Sequence, residues 1–298
     1  MPGSLFIIAT PVGNLSDISL RTRKTLEESD LILAEDTRVT IKILNHLGIK
    51  KRMLSCHEFN ERSRLSLISE AKINNQQIAL VSDAGTPLIS DPGFQIVREA
   101  IACGMKVIAI PGPSAFLLAL VGSGIASHRF VFEGFLPDKP TEMKRRLNEL
   151  KTEKRTLVFY VSPHKLVKTL QTTHGLLGDR QACLARELTK IHEEFIRLPL
   201  SELIAVIEKR EIIGECVLII AGAETGGHED DKESIKEKLN MAIKEMLAAD
   251  LSTKDIVAGC VRQYGLRKSA VYEVVLKYRQ SKNSGESEED NETSPAER

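Results

Sequence analysis

A chain of 298 residues with 42% hydrophobic and 28% charged side chains has the make-up of an ordinary soluble globular protein, long enough for two compact domains and an appendage. Its apolar runs, such as Leu5–Ala9 and Val217–Ala221, are strand-sized and too short to span a bilayer. The start shows no basic segment followed by a long apolar stretch, so the cytoplasm is the expected compartment and no membrane partner is expected. The formal net charge of zero hides a tail, Ser281–Arg298, with six carboxylates against Lys282 and Arg298; the rest carries 39 basic and 35 acidic side chains, a balance that suits an anionic partner.

In chain order, the first 112 residues alternate two patterns. Leu5–Ala9, Asp30–Ala34, Ile78–Ser82 and Lys106–Ile110 read as strands. Asp17–Glu28, Arg38–His46, Glu61–Lys72 and Gly93–Cys103 read as helices. Apolar strands separated by helices predict a buried, mainly parallel sheet covered on both faces. Three strands run into Gly/Pro-rich turns: Thr10-Pro11-Val12-Gly13-Asn14, Asp83-Ala84-Gly85-Thr86-Pro87 and Pro111-Gly112-Pro113. Ligands of open α/β sheets bind beyond the carboxyl ends of the strands, so these turns should converge on one crevice.

A second alternating segment follows. Arg129–Phe135, Thr156–Val161, Gln181–Leu188 and Cys216–Ala221 read as strands, with Glu194–Leu198 as a short further one. Phe116–Val121, Lys139–Leu150, Pro163–Leu177 and Leu200–Lys209 read as helices. The expected organisation is an α/β lobe over 1–113, a second over 114–223, a linker over 224–231 and a helical appendage over 232–280. Its helices are Lys232–Ala249, Ser252–Tyr264 (capped by Ser252 and Gly265) and Arg267–Tyr278, the last two resembling a helix-turn-helix. Residues 281–298 hold no apolar side chain larger than Ala296 and are expected to be disordered.

The turn after the third strand reads Ser82-Asp83-Ala84-Gly85-Thr86-Pro87-Leu88-Ile89-Ser90-Asp91-Pro92-Gly93. Asp83, at a strand's carboxyl end, could hold a ribose hydroxyl or sit near a cationic sulfonium. Asp91 before Pro92 has the pattern of a helix cap with proline at the first helical position. The Thr10–Asp17 loop is neither a Walker A sequence nor a dinucleotide fingerprint, which disfavours a nucleoside triphosphatase or an NAD enzyme; a plain strand-to-helix turn is its alternative. Ser114 either caps the following helix or, with Ala115, lets a ligand approach the helix start. The five cysteines are odd in number and far apart, which suits reduced, buried thiols. Cys56-His57-Glu58-Phe59-Asn60-Glu61 is polar but lacks ligand spacing, so no metal is expected.

Six motifs in order carry a resemblance. They are Ala9-Thr10-Pro11-Val12-Gly13-Asn14-Leu15-Ser16-Asp17-Ile18, Ala34-Glu35-Asp36-Thr37-Arg38, Ser82–Pro87, Pro111-Gly112-Pro113, Glu133-Gly134-Phe135-Leu136-Pro137 and Ala185-Arg186-Glu187-Leu188-Thr189-Lys190. Over residues 4–223 they resemble the tetrapyrrole-methylase superfamily of class III methyltransferases. Within it, they are similar to the branch that 2′-O-methylates a cytidine in the decoding region of 16S rRNA. The resemblance implies two α/β lobes with S-adenosylmethionine between them, a homodimer, and 16S rRNA in the small ribosomal subunit as partner, not DNA. Cofactor contacts would come from Pro11, Gly13, Asp83, Ala84, Gly85, Thr86, Pro87, Ser114 and Ala115 in the first lobe, and from Val161, Leu188 and Gly222 in the second.

Two positions depart from the family. Tyr160-Val161-Ser162-Pro163-His164-Lys165 has valine where a glutamate is common, so that position holds no general base, and Ser90 replaces a frequent asparagine. A ribose hydroxyl is a weak acid and needs a base or a stabilising cation. The resemblance points to Glu187 or Asp36 as base and to Lys190 or Arg38 for phosphate or oxyanion contact, with ordinary ion pairs among these four as the alternative. Lys144, Arg145, Arg146, Arg267, Lys268 and the Lys50-Lys51-Arg52 turn are candidate RNA contacts; a solvated helix face is the plain alternative for Lys144–Arg146. A tetrapyrrole C-methyltransferase or a non-enzymatic ribosome-associated binding module are the competing functions.

Overall fold

The computed structural model describes residues 2–223, 229–249, 251–264 and 268–285. They form two compact units, Met1–Ala223 and Glu224–Arg298.

The first unit contains two five-stranded sheets. One is built from β1 (Ser4–Ile8), β2 (Leu31–Ala34), β3 (Met53–Ser55), β4 (Gln77–Val81) and β5 (Lys106–Ile110), in the order β3-β2-β4-β1-β5 with every pair parallel. Alternation along the strands gives the sheet two apolar faces. Ile32, Ala34, Ala79 and Val81 pack with Leu26 of α1 (Leu20–Glu28) and Leu44 of α2 (Thr37–Leu47). Leu31, Leu33, Ile78 and Leu80 point the other way, to Ile68 of α3 (Leu65–Ile73) and Ile96 of α4 (Phe94–Ala102). The predicted parallel, doubly covered sheet is thus present, with β3 added. That edge strand has three half-buried residues, too few for a period of two to show.

The helix ends follow local chemistry. The helix predicted from Asp17 starts at Leu20, because Ser19 accepts the Thr22 amide at 3.0 Å and ends the preceding 3₁₀ turn, Leu15–Asp17. The Asp36 side chain caps α2. The predicted cap at Asp91 does not form. Leu88 and Ser90 adopt left-handed backbone angles, Gly93 reaches φ 124°, and α4 begins only at Phe94. Its first amides, Gln95 and Ile96, instead donate to Oε1 of the buried Glu61, a carboxylate at the positive end of the helix.

The second sheet is mixed. β6 (Phe130–Phe135) lies parallel to β7 (Thr156–Val161), while β8 (Gln181–Arg186), β9 (Glu194–Pro199) and β10 (Cys216–Ile220) complete the order β6-β7-β10-β8-β9 with antiparallel pairs. Val217 and Ile219 face Ala119 and Leu120 of α5 (Ala115–Gly122). Leu218 and Ile220 face the layer of α6 (Pro140–Glu149), α7 (Leu166–Leu177) and α8 (Leu200–Ile207). A bulge at Glu133 interrupts β6, and Arg146 of α6 braces it with two hydrogen bonds to the Glu133 carboxylate at 2.7 and 2.8 Å.

The second unit comprises α9 (Glu229–Ala248), α10 (Thr253–Tyr264) and α11 (Lys268–Gly285) around Leu239, Ile243, Ile256, Val257, Cys260, Val271 and Val275. Ser252 accepts the Asp255 amide as predicted for a cap. Helix α9 starts within the predicted linker, and α11 extends to Gly285, into the segment expected to be disordered. Gly265, Arg267 and residues 286–298 lie outside the described residues. Among the described residues, no helix is long and apolar enough to cross a membrane.

Candidate active-site cleft

The connection after β2 leads to the sheet edge at β3, and the connection after β4 leads the opposite way to β5. The gap between the carboxyl ends of β2 and β4 is therefore the topological switch point of the first sheet. Backbone and side-chain bonds tie the turns there. Asp83 Oδ1 accepts the Asp36 amide at 2.9 Å, and the Asp83 amide donates to Glu35 Oε2 at 3.1 Å. Thr10 and Gly85 exchange amide–carbonyl bonds of 2.8 and 3.0 Å, and the Thr86 hydroxyl donates to the Pro113 carbonyl at 2.9 Å. The three Gly/Pro turns of the sequence are thus laced into one floor, as their positions predicted.

Over this floor lies a cavity of about 310 Å³, within the usual range of small-molecule sites. Val12, Ala84, Gly85, Thr86, Ile89, Ser90, Asp91 and Ala115 wall it from one side. Phe135, Tyr160, Val161, Ser162, Pro163, Gly214, Glu215, Cys216 and Val217 close it from the second sheet. Phe135 ends β6, and the rest of that group comes from the end of β7 and the start of β10, which adjoin because those strands are antiparallel. Gly85 has φ 81°, and a β-carbon there would meet nothing nearer than Val12 Cγ2 and the Pro113 carbonyl at 3.9 Å, so its hydrogen leaves space in the cavity.

The carboxylates around the cleft crowd one another. Burial pushes the Asp91 carboxyl up to about 7, and the neighbouring Glu35, Asp83 and Glu215 add to it against a hydrogen bond from Ser82. Burial also raises Glu35 and Asp83. Such a site favours a bound positive charge, and Asp91 is poised to exchange a proton near neutrality.

Comparison with known proteins agrees with this geometry. A family model for tetrapyrrole (corrin/porphyrin) methylases matches residues 4–204. The ribosomal RNA small subunit methyltransferase I of Pseudomonas aeruginosa is 41% identical over 284 residues, 94% of this chain and 99% of the relative. Its counterpart from Thermotoga maritima is 46% identical over 222 residues, 74% of this chain and all of the relative. A crystal structure of uroporphyrin-III C-methyltransferase from Thermus thermophilus, complexed with S-adenosylhomocysteine, shares the fold at a TM-score of 0.53 and 19% identity, over 74% of this chain and 97% of that one. The chain belongs to the tetrapyrrole methylases, in the ribosomal RNA small subunit methyltransferase I family.

For a member of that family, the residues expected to hold the cofactor sort into three groups. Ala84, Gly85, Thr86, Ala115 and Val161 line the cavity. Pro11, Gly13, Asp83, Pro87 and Ser114 lie in the same turns but outside its lining; a β-carbon on Gly13 would sit 2.4 Å from Lys190 Cγ and 2.9 Å from the Leu188 carbonyl, so this glycine lets the two lobes touch. Ser114 precedes α5 without making a side-chain cap bond. Leu188 is buried in the core beside α5, and Gly222 is packed against the Lys154 backbone. The latter position lies past the far end of β10, six residues from the cavity-lining Cys216 and roughly 20 Å away at ~3.3 Å per strand residue, which removes it from the site.

The expected bases and RNA contacts are differently engaged. Asp36 caps α2 and pairs with Arg38 at 2.6 Å, which holds its carboxyl down at about 2. Glu187 accepts from Lys190 at 2.8 Å and lies over Gly214, where a β-carbon would come within 1.8 Å of Oε1. Neither carboxylate lines the cavity, and the ion-pair alternative describes both. Arg145 and Arg146 pair with Glu149, and Arg146 is committed to Glu133; Lys144 and Lys268 are exposed. Asp91, read as a cap, and Glu215, which no motif marked, are the lining carboxylates. The sequence signal for Glu215 was only a Gly-Glu step before a strand.

Proposed function

We propose that this protein transfers a methyl group from S-adenosylmethionine to the ribose 2′-oxygen of a cytidine in 16S rRNA. The observation that carries the reading is the cleft itself: a laced backbone floor, small and apolar walls for a nucleoside, and Asp91 and Glu215 at its lining. The near-full-length likeness to ribosomal RNA small subunit methyltransferase I of Pseudomonas aeruginosa supports the RNA substrate. Bound in the cleft, the cofactor supplies an electrophilic methyl on a cationic sulfur. The residues Ala84, Gly85, Thr86, Ala115 and Val161 would hold it, and the two lining carboxylates would face its charge. Alignment of the acceptor oxygen with the methyl carbon is the main contribution the protein can make.

We further infer a homodimer that meets the small ribosomal subunit in the cytoplasm. Exposed Leu117 and Val121 on α5 and Ile191 offer apolar surface to a second copy. The exposed Lys144 and Lys268 suit phosphate contacts. The decisive experiment offers labelled S-adenosylmethionine with small subunits or with uroporphyrinogen, then maps methylated riboses. Label on a 16S rRNA cytidine supports the reading. Label on the tetrapyrrole, or cofactor-independent RNA binding, replaces it with one of the competing functions.

A further inference from the structure

A second cavity of about 640 Å³ adjoins the first. It is lined by Glu35, His57, Glu58, Phe59, Glu61, Ser90, Asp91, Pro92 and Phe94. Ser90 and Asp91 line both cavities, so a two-residue wall separates them. Three features of the second cavity bear on what it could hold. Phe59 and Phe94 are 93% and 59% exposed although each lines a concave site; Phe59 meets the His57 ring edge-on at 6.2 Å and Arg98 stands 5.7 Å from the Phe94 ring centre, and much of both rings still faces solvent. Glu58 is exposed and has no hydrogen-bond or ion-pair partner among the described residues, unlike Glu61, which caps α4, and Glu35, which holds the Asp83 amide. His57 Nδ1 is buried without a hydrogen-bond partner. Asn60 Nδ2 stands 3.0 Å from His57 Nε2 and donates to it, so a neutral ring carries its proton on Nδ1 as an unmatched donor.

Two aromatic rings and a carboxylate acceptor beside a cofactor cleft are what a single unstacked base requires. Bases taken out of a helix stack on aromatic side chains and are read on their polar edges. A carboxylate accepts from the exocyclic amine of cytosine, which uracil lacks.

We propose that the second cavity seats the target cytidine, its base on Phe59 and Phe94 and its exocyclic amine on Glu58, with the 2′-hydroxyl at the Ser90–Asp91 wall and Asp91 as the base. This rests on the reading of the protein as a ribose methyltransferase. In the step, a lone pair of the 2′-oxygen forms the oxygen–methyl bond as the sulfur–methyl bond breaks and sulfur keeps that pair. The 2′-hydroxyl proton goes to the Asp91 carboxylate, which burial, aided by the nearby carboxylates, makes basic enough to take it near neutral pH.

The test uses the full chain and small ribosomal subunits that lack the methyl group. It measures S-adenosylmethionine affinity by calorimetry, subunit binding, and single-turnover transfer. Phe59→Ala and Phe94→Ala should each slow transfer or weaken subunit binding by about tenfold or more, the range of one base–aromatic stack, with cofactor affinity unchanged. Phe59→Trp should restore the rate. Glu58→Gln should reduce the preference for a cytidine target over a uridine one. Asp91→Asn should slow transfer by about 100-fold or more and remove the rise in rate with pH that an Asp91 base predicts for the parent. If both alanine variants bind subunits and transfer at parental rates, the cavity assignment is wrong while the methyltransferase reading stands. If the parent protein neither binds the cofactor nor labels subunits, the broader reading falls first.

Discussion

The two sheets of the first unit contribute to one cleft by different means. The parallel sheet offers backbone: turns after β1, β4 and β5 joined by the Thr10–Gly85 and Thr86–Pro113 bonds, with alanines and glycine facing the ligand space. The mixed sheet offers side chains, Tyr160 and Glu215 among them, from strand ends that are 55 residues apart in sequence and adjoin only through β7–β10 pairing. A parallel sheet gathers its carboxyl-end loops on one side by construction, whereas an antiparallel pair brings the end of one strand to the start of another. The first half therefore sets the shape of the site, and the second half supplies much of its chemistry.

The strongest way to break this comparison is at Asp91, which belongs to the backbone floor yet carries chemistry. Asp91→Asn should show the 100-fold loss in transfer described above and, in parallel, a more stable protein at pH 8. Its folded carboxyl is raised to about 7, so the proton is held more tightly in the folded state, and the parent loses stability as pH climbs from about 4 to 7. Thermal melts should show the variant higher by about 5 °C or more at pH 8, and the gap should close below pH 4. A variant that melts lower at pH 8 would mean that the charged Asp91 is held by a partner.

A glycine comparison separates shape from contact. Gly222→Ala should cost about 1–3 kcal/mol, because its β-carbon would fall 1.9 Å from the Lys154 carbonyl oxygen, a backbone atom that cannot swing away. Cofactor affinity of the folded variant, measured by calorimetry, should equal that of the parent. Gly85→Ala should do the reverse in emphasis, weakening the cofactor more than it lowers the melting temperature beyond the strain of φ 81°.

Arg146→Ala should destabilise the second sheet by about 1–2 kcal/mol, less than a fully buried pair would, since the arginine is 41% exposed while Glu133 is 7% exposed. The salt dependence of subunit binding should not change, because this guanidinium is occupied by Glu133 and Glu149. Lys144→Ala, on the same helix and exposed, should leave the melt alone and reduce that slope by about one. The smallest effect should follow removal of residues after Ala223: cofactor affinity unchanged, as the Thermotoga maritima relative is matched over its whole length by three-quarters of this chain.

Much of the fold was legible because burial imposes a period. β5 and β7 occupy the predicted residues, and most other elements end within one or two of theirs. β3 was not legible, being three residues on an edge, nor was the mixed direction of the second sheet, since an apolar run does not say which way its neighbour points. The floor of the site was legible through Gly85, Pro87 and Pro113, whose turn chemistry is local. The cap at Asp91 failed for the opposite reason: Asp-Pro favours a helix start locally, but Glu61, 34 residues upstream of Gln95, satisfies the helix amides instead. Ion pairing at Asp36 and Glu187, which decides whether a carboxylate can act as a base, lies in side-chain distances that spacing does not encode.

The wall at Ser90–Asp91 has a consequence for timing. An acid that fronts two chambers answers to the charge in each. A cation arriving in the first chamber would favour the ionised carboxylate before any acceptor is consumed. When that positive charge is discharged, the same group would hold a proton more firmly. On the proposed reading, the partition would act as a charge gauge, set to accept a proton when the donor is loaded and to keep it once the donor is spent.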